Sequence, residues 1–228
     1  MDLGLKDRVA MVAASSKGLG KAVAEGLARE GAKLALCARS EALHATADEI
    51  RRKTGVEVLA QTLDVTQYES VRHFVAQTVE RFGRVDICVT NAGGPPAKPF
   101  AETTVADWQS GVNLNLLSTV YFAREVLPIM KKQRWGRLIT ITSVAVKQPV
   151  DNLILSNSVR SAVSGLVKSL SNEYARDNVL VNNVCPGYTL TARLDELAGK
   201  LAAAEGVEPG VIHERWAGEV PMGRLGRP

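Results

Sequence analysis

Apolar residues in this chain fall into short unbroken runs that alternate with longer stretches of helical periodicity. The first run, Val9 to Ala13, stops at small residues, and Ala14 to Gly20 leads into an amphipathic pattern from Lys21 to Glu30, closed by Gly31. This predicts strand, tight loop and helix, ended by a C-terminal glycine. The same alternation continues with strands at 33–38, 56–63, 85–89, 137–142 and 179–184. Helices are expected at 41–53, 67–82, 105–132 and 154–176. Strands that are apolar throughout and separated by helices specify a parallel sheet covered on both faces. The expectation is a doubly wound α/β fold of the Rossmann type, one domain over residues 1–228.

Composition narrows the function classes. A length of 228 residues, 46% of them hydrophobic, suits one substantial core. The 28 basic and 24 acidic residues give a net charge of +4, with the cations scattered. That pattern argues against a nucleic-acid partner. The two basic runs, 51–53 and 131–134, fall at expected helix C-termini, where cations complement the helix dipole. Cys37, Cys88 and Cys185 lie far apart in apolar runs, so buried free thiols are expected, with neither disulfide nor metal. The first eight residues carry no apolar signal core, and no run approaches the about 20 residues of a membrane span. A cytoplasmic protein without membrane attachment is the expectation.

In doubly wound sheets, ligands bind beyond the carboxyl ends of the strands. The residues there are Ala14 to Gly20, Arg39-Ser40, Asp64-Val65, Asn91-Ala92-Gly93, Ser143 and Pro186-Gly187, each set polar, small or glycine-bearing. The first loop suits a phosphate, because small residues admit a ligand to the backbone and a helix start attracts anions. A plain tight turn fits the loop as well.

Together, Ala13-Ala14-Ser15-Ser16-Lys17-Gly18-Leu19-Gly20, Asp64-Val65, Asn91-Ala92-Gly93, Asn115, Ser143 and Pro186-Gly187 resemble the landmarks of the short-chain dehydrogenases/reductases, close to the β-ketoacyl-carrier-protein reductases. The resemblance spans essentially the whole chain. It implies a bound nicotinamide dinucleotide, held by Ser15, Ser16, Lys17, Gly18 and Leu19 at the diphosphate. Asp64 and Val65 would lie at the adenine, Asn91, Ala92 and Gly93 under the ribose and nicotinamide, and Pro186, Gly187, Thr189 and Thr191 along the carboxamide and diphosphate. The second strand ends at Ala38 without the acidic residue that would hold the ribose hydroxyls of NAD. Lys17, Arg39 and Ser40 instead put two cations and a hydroxyl where a 2′-phosphate would lie, favouring NADP(H) over NAD(H). Ala14 stands where the family has its first glycine, a change that the turn accommodates if φ stays negative.

The resemblance also implies a catalytic serine at Ser143 and a relay asparagine at Asn115. The family's Tyr-x-x-x-Lys pair is replaced by Ser156-Asn157-Ser158-Val159-Arg160, in a flanking text that aligns without a gap. The resemblance implies a subgroup that shares this Leu-Ser-Asn-x-x-Arg signature. Serine is a poor acid, and arginine, with a pKa above about 12, donates hydrogen bonds but not protons. Arg160 can still bind ribose hydroxyls and place positive charge near an oxyanion. Tyr188 is the alternative proton donor, or a wall of the pocket.

Two functions are consistent with these residues. One is an oxidoreductase acting on a small carbonyl or alcohol compound, with Asn115, Ser143, Ser156 and Arg160 at the reacting oxygen. The other is a silent NADP(H)-binding sensor or partner subunit. Family resemblance further implies a homodimer or homotetramer and a helical substrate lid over residues 189–220, with Leu197 and Trp216 facing substrate or packed in a core. A break is expected at Pro209-Gly210. Relatives continue into another helix and a last strand beyond the position of Pro228, so six strands are expected.

Overall fold

All six apolar runs become strands, and all six point the same way. The computed structural model describes residues 1–228. Strands β1 (Val9–Ala13), β2 (Lys33–Ala38), β3 (Val58–Thr62), β4 (Ile87–Thr90), β5 (Gly136–Ile141) and β6 (Val179–Val184) form one parallel sheet in the order β3-β2-β1-β4-β5-β6. The doubly wound architecture is therefore as expected. In register, Met11 lies between Ala35 of β2 and Cys88 of β4. The order reverses between β1 and β4, so a crevice opens where the loops leaving them part.

Helices α1 (Gly18–Arg29) and α2 (Ala42–Thr54) cover one face, packing Ala24, Ala28, Leu43 and Ile50 on Ala10, Val12, Leu34 and Leu36. The other face carries α3 (Tyr68–Phe82), α5 (Ser118–Gln133) and α6 (Ile154–Tyr174), whose Phe74, Phe122, Val126 and Val163 pack on Met11 and Leu138. Each such side chain contributes about 1.5–3 kcal/mol when fully buried. At β6 the double covering fails: Val179 and Val181 are buried, but Leu180 and Val184 are 44% and 48% exposed.

Several boundaries differ from the pattern. The first helix begins at Gly18, not Lys21, because the glycine loop turns directly into it. The expected helix 105–132 is α4 (Val105–Gly111) and α5 joined by a π-helical turn, Val112–Leu117. Apolar spacing cannot distinguish these, since one extra residue per turn leaves the stripe nearly continuous. Arg51, Arg52 and Lys53 end α2, and Lys131 and Lys132 end α5, as the dipole argument requires. Cys37 and Cys88 are buried free thiols, whereas Cys185 is only half-buried because it lies just past the open end of β6.

The chain gathers into two compact units, Met1–Cys185 with the whole sheet and Pro186–Pro228. The second holds α7 (Ala192–Glu205) and α8 (Pro209–Glu219) around Leu194, Ala198, Ile212 and Trp216. Pro209-Gly210 starts α8 instead of breaking a helix, with Pro209 in the first turn, where its missing N–H costs nothing. The break comes at Gly206, left-handed at φ +69°. Trp216 and Leu197 pack in this small core. No helix is long and apolar enough to cross a membrane.

One carboxylate organises the amino edge of the sheet. Asp86, fully buried before β4, accepts the Val9 amide at 2.9 Å, Arg8 at 3.1 Å, and two nitrogens of Arg84 at 2.7 and 2.6 Å. Arg8 and Arg137 in turn lie 4.0 and 4.3 Å from the ring centre of Trp135. Removing one partner of a buried ion pair strands the others. Asp86→Ala should lower unfolding free energy by about 3 kcal/mol in urea titration, with the slope of the transition unchanged.

Candidate active site

Three loops converge at the carboxyl edge of the sheet near the crevice. After β1 the backbone doubles back, and the Ser15 amide and hydroxyl both donate to Cys37 O, at 3.1 and 3.3 Å. Thr46 of α2 donates to Ser16 O at 3.0 Å, fixing the loop from outside. Lys17 stands at the start of α1 in extended conformation, and no side chain caps that helix. Its first amides are thus left for an anion. A Cβ on Gly20 would sit 2.3 Å from Ala14 O, so this packing demands glycine.

Ala14 departs from expectation. Its φ is +51°, in the left-handed region, not negative. The turn needed to bring Ser15 to Cys37 O sets the backbone there, and alanine occupies it at a strain of about 1 kcal/mol. Arg39 and Ser40, after β2, are both exposed, and Ser40 Oγ accepts the Ala42 amide at 3.3 Å. Asp64 accepts the Thr66 amide at 2.9 Å, while Val65 is buried beside it.

The second group surrounds the ends of β4 and β5. Asn115 lies within the π turn, 5% exposed, and donates from Nδ2 to Gly93 O at 2.9 Å. It thereby ties the loop Asn91-Ala92-Gly93 to the helix. Asn115 Oδ1 and Thr90 Oγ1 are buried without a hydrogen-bond partner. Both residues line a cavity of about 10 Å³ together with Ser118, Thr119, Thr142 and Arg160. That is room for one water with polar partners around it. Ser143 follows β5 and accepts the Ala145 amide at 3.2 Å, which leaves its own proton free to donate.

Ser156 and Arg160 lie one turn apart on α6, each 8% exposed. Arg160 Nη1 donates to Ile141 O at 3.2 Å and Thr142 O at 3.0 Å, fastening α6 to the end of β5 just before Ser143. Asn157 pairs with both backbone groups of Val150, at 3.3 and 2.9 Å. Thr90, Thr142 and Asn157 have no place among the sequence candidates. The first two are ordinary strand residues by pattern, and only the register reveals what they face. Asn157 does carry a signal, because it stands inside the Ser-Asn-x-x-Arg text.

Pro186, Gly187, Thr189 and Thr191 belong to the second compact unit. There Thr191 accepts the Leu194 amide at 3.3 Å as the cap of α7, and Thr189 donates to Gly187 O at 3.3 Å. Tyr188 stacks on Trp216 with centroids 5.1 Å apart and donates to Glu219 at 3.1 Å. Burial and the Glu219 charge push its pKa up to about 12. These ties make it a weaker proton donor than a free tyrosine.

The family model described as short chain dehydrogenase matches residues 8–201. The chain is 31% identical over 229 residues to a 3-oxoacyl-acyl-carrier-protein reductase of Aquifex aeolicus, covering 100% of this chain and 88% of that one. Among solved structures it is similar to L-sorbose reductase from Gluconobacter frateurii complexed with NADPH and L-sorbose. The TM-score is 0.94 at 33% identity, over 100% of this chain and 88% of that one. It is also similar to actinorhodin polyketide ketoreductase with NADPH, at TM-score 0.93 and 32% identity, over 97% and 86% of the two chains.

Relieving the Ala14 strain is the direct check on the loop. Ala14→Gly should raise stability by about 0.5–1 kcal/mol in thermal unfolding, whereas Gly20→Ala, forced against Ala14 O, should lose several times that.

Proposed function

This chain belongs to the short chain dehydrogenase family, and on that premise we propose that it is an NADP(H)-dependent oxidoreductase of a small carbonyl or alcohol compound, like the 3-oxoacyl reductases but with altered proton chemistry. The observation that carries the proposal is the convergence at the β1/β4 crevice of an uncapped helix start, two exposed cations and the Asn115-braced loop. These residues fit a dinucleotide phosphate. The amides of 18–20 would hold the diphosphate, and Lys17, Arg39 and Ser40 would meet the 2′-phosphate. The two NADPH complexes among similar structures support the same choice.

Once bound, the nicotinamide supplies or takes a hydride. The chain's own residues do the rest. Ser143 keeps a proton to donate to the substrate oxygen, and Ser156 offers a second hydroxyl. Arg160 holds the carbonyls of Ile141 and Thr142, and so fixes where Ser143 points, while keeping its charge behind that oxygen. Asn115 would order a water in the small cavity beside it. Residues 189–220 would act as the substrate lid, with Pro186, Gly187, Thr189 and Thr191 along the cofactor. A mainly apolar groove of about 580 Å³ on α5 and α6, lined by Ala123, Leu127, Leu166 and Leu170 together with Arg124 and Glu125, supports self-association as a homodimer or homotetramer.

The second reading is a silent NADP(H)-binding sensor or partner subunit. It is favoured by one fact, that Ser156 and Arg160 supply no proton at neutral pH. Turnover decides between the two.

Two measurements test the reading. NADPH should quench tryptophan fluorescence at lower concentration than NADH, and Arg39→Asp should erase that preference, raising the NADPH Kd by about 10- to 100-fold. Ser156→Tyr combined with Arg160→Lys should raise ketone reduction by about 10²- to 10⁴-fold, because it restores an acid to a positioned site. An unchanged rate would sink the claim that the missing acid limits turnover.

A further inference from the structure

Thr90, Asn115, Thr142 and Arg160 share the small cavity with Asn91, Ser118 and Thr119, and Ser143 and Ser156 stand beside it in sequence, after β5 and on the first turn of α6. None is a carboxylic acid, imidazole, phenol, thiol or amine. Hydroxyl and amide groups do not ionise near neutrality, and a guanidinium keeps its protons to a pH above about 12. Arg160 Nη1 is committed to Ile141 O and Thr142 O. Lys98, on the loop after β4, is tied to Asp107 at 2.9 Å, and the Cys185 thiol beside the cluster is engaged by Thr142 Oγ1 at 3.4 Å and by Asn183 Nδ2 at 3.5 Å. Ser143, Ser156 and Arg160 therefore offer hydrogen bonds and a fixed positive charge, and none of the three is a neutral-pH acid.

That combination suits some hydride acceptors and not others. An isolated ketone that receives a hydride becomes an alkoxide, about as basic as hydroxide and far more basic than a phenolate. It has to be protonated as it forms. A conjugated carbonyl behaves differently. The new C–H bond forms at the far end of the conjugated system, the carbon–carbon π pair shifts toward the carbonyl, and the C=O π pair settles on oxygen. An enone then carries an enolate, and a quinone carries an enolate that becomes a phenolate once a proton shifts from the carbon that took the hydride to oxygen; protonated on oxygen, each is an acid comparable to tyrosine at about 10. Such an anion persists in hydrogen bonds beside a cation until water protonates it.

We propose, resting on the oxidoreductase reading above, that this chain reduces conjugated carbonyl compounds, enones or quinones, with Ser143 and Ser156 hydrogen-bonding the delocalised oxyanion and Arg160 supplying the charge behind them. The substrate gains a hydride and is reduced, the reduced nicotinamide dinucleotide is the reductant and is oxidised, and the balancing proton arrives from solvent afterwards.

The test uses the wild-type protein with NADPH and three acceptors, cyclohexenone, a naphthoquinone and cyclohexanone, each corrected for its uncatalysed rate. At least one conjugated acceptor should exceed cyclohexanone in kcat/KM by about 10²- to 10⁴-fold, the range that general acid assistance commonly spans. Which of the two leads separates enone from quinone. Equal or faster reduction of cyclohexanone overturns the proposal. So does NADPH binding without turnover of any acceptor, which leaves the silent reading standing. Failure to bind NADPH at all defeats the oxidoreductase reading itself. A cofactor-free readout comes from 4-nitrophenol, whose phenolate absorbs visible light. Bound to the wild-type protein, its pKa should fall by about one unit, and less in Arg160→Gln. An unchanged or raised pKa in the wild type overturns the oxyanion role.

Discussion

Everything chemical in this molecule depends on six strands running in one direction. A parallel strand cannot be followed by a tight hairpin, so each must be returned by a crossover, here a helix, on one face or the other. Every loop that leaves a strand then emerges on the same edge. The reversal of order between β1 and β4 parts two of these loops and opens a crevice. Ser15 to Gly20, Asn91 to Gly93 and Ser143 are neighbours for that reason alone, though scattered over more than a hundred positions. The opposite edge carries the load instead: Asp86 gathers Arg8, Arg84 and the Val9 amide where no ligand needs to enter.

Much of this is legible in the sequence because burial on both faces leaves an unmistakable trace. The runs Lys33–Ala38 and Val179–Val184 coincide with β2 and β6 to the residue. Candidate loops come from the strand ends without further information. What escapes is whatever depends on a dihedral angle or on register. Ala14 carries no mark of the left-handed backbone it adopts, since its conformation is imposed by the bond from Ser15 to Cys37 O. Thr90 and Thr142 look like routine strand residues until pairing of β4 with β5 aims them at one cavity. The π turn is likewise invisible, because its apolar spacing imitates an ordinary helix.

Arg160 shows how one replacement redistributes roles. An amine at the end of a flexible stem can reach outward to a ligand, but a planar fork with several donors can span two successive carbonyls. Here the fork grips the end of β5, so the residue joins helix to strand. In the proposed oxidoreductase, positioning and electrostatics would be combined in this one side chain, without proton transfer. A hydrophobic residue at 160 would lose both at once and would leave the two carbonyls without that donor.

The π turn at Val112–Leu117 also gives chain length a meaning of its own. A π turn holds about one residue more than an α turn, so it takes up the extra residue locally and lets the helix on either side keep nearly the same face inward. Asn115 sits inside this surplus, reaching back to Gly93. A single-residue deletion here would give a smoother, intrinsically better helix and swing the asparagine away from its loop. A one-residue insertion or deletion here would therefore displace the tie from Asn115 to Gly93 more than many substitutions elsewhere.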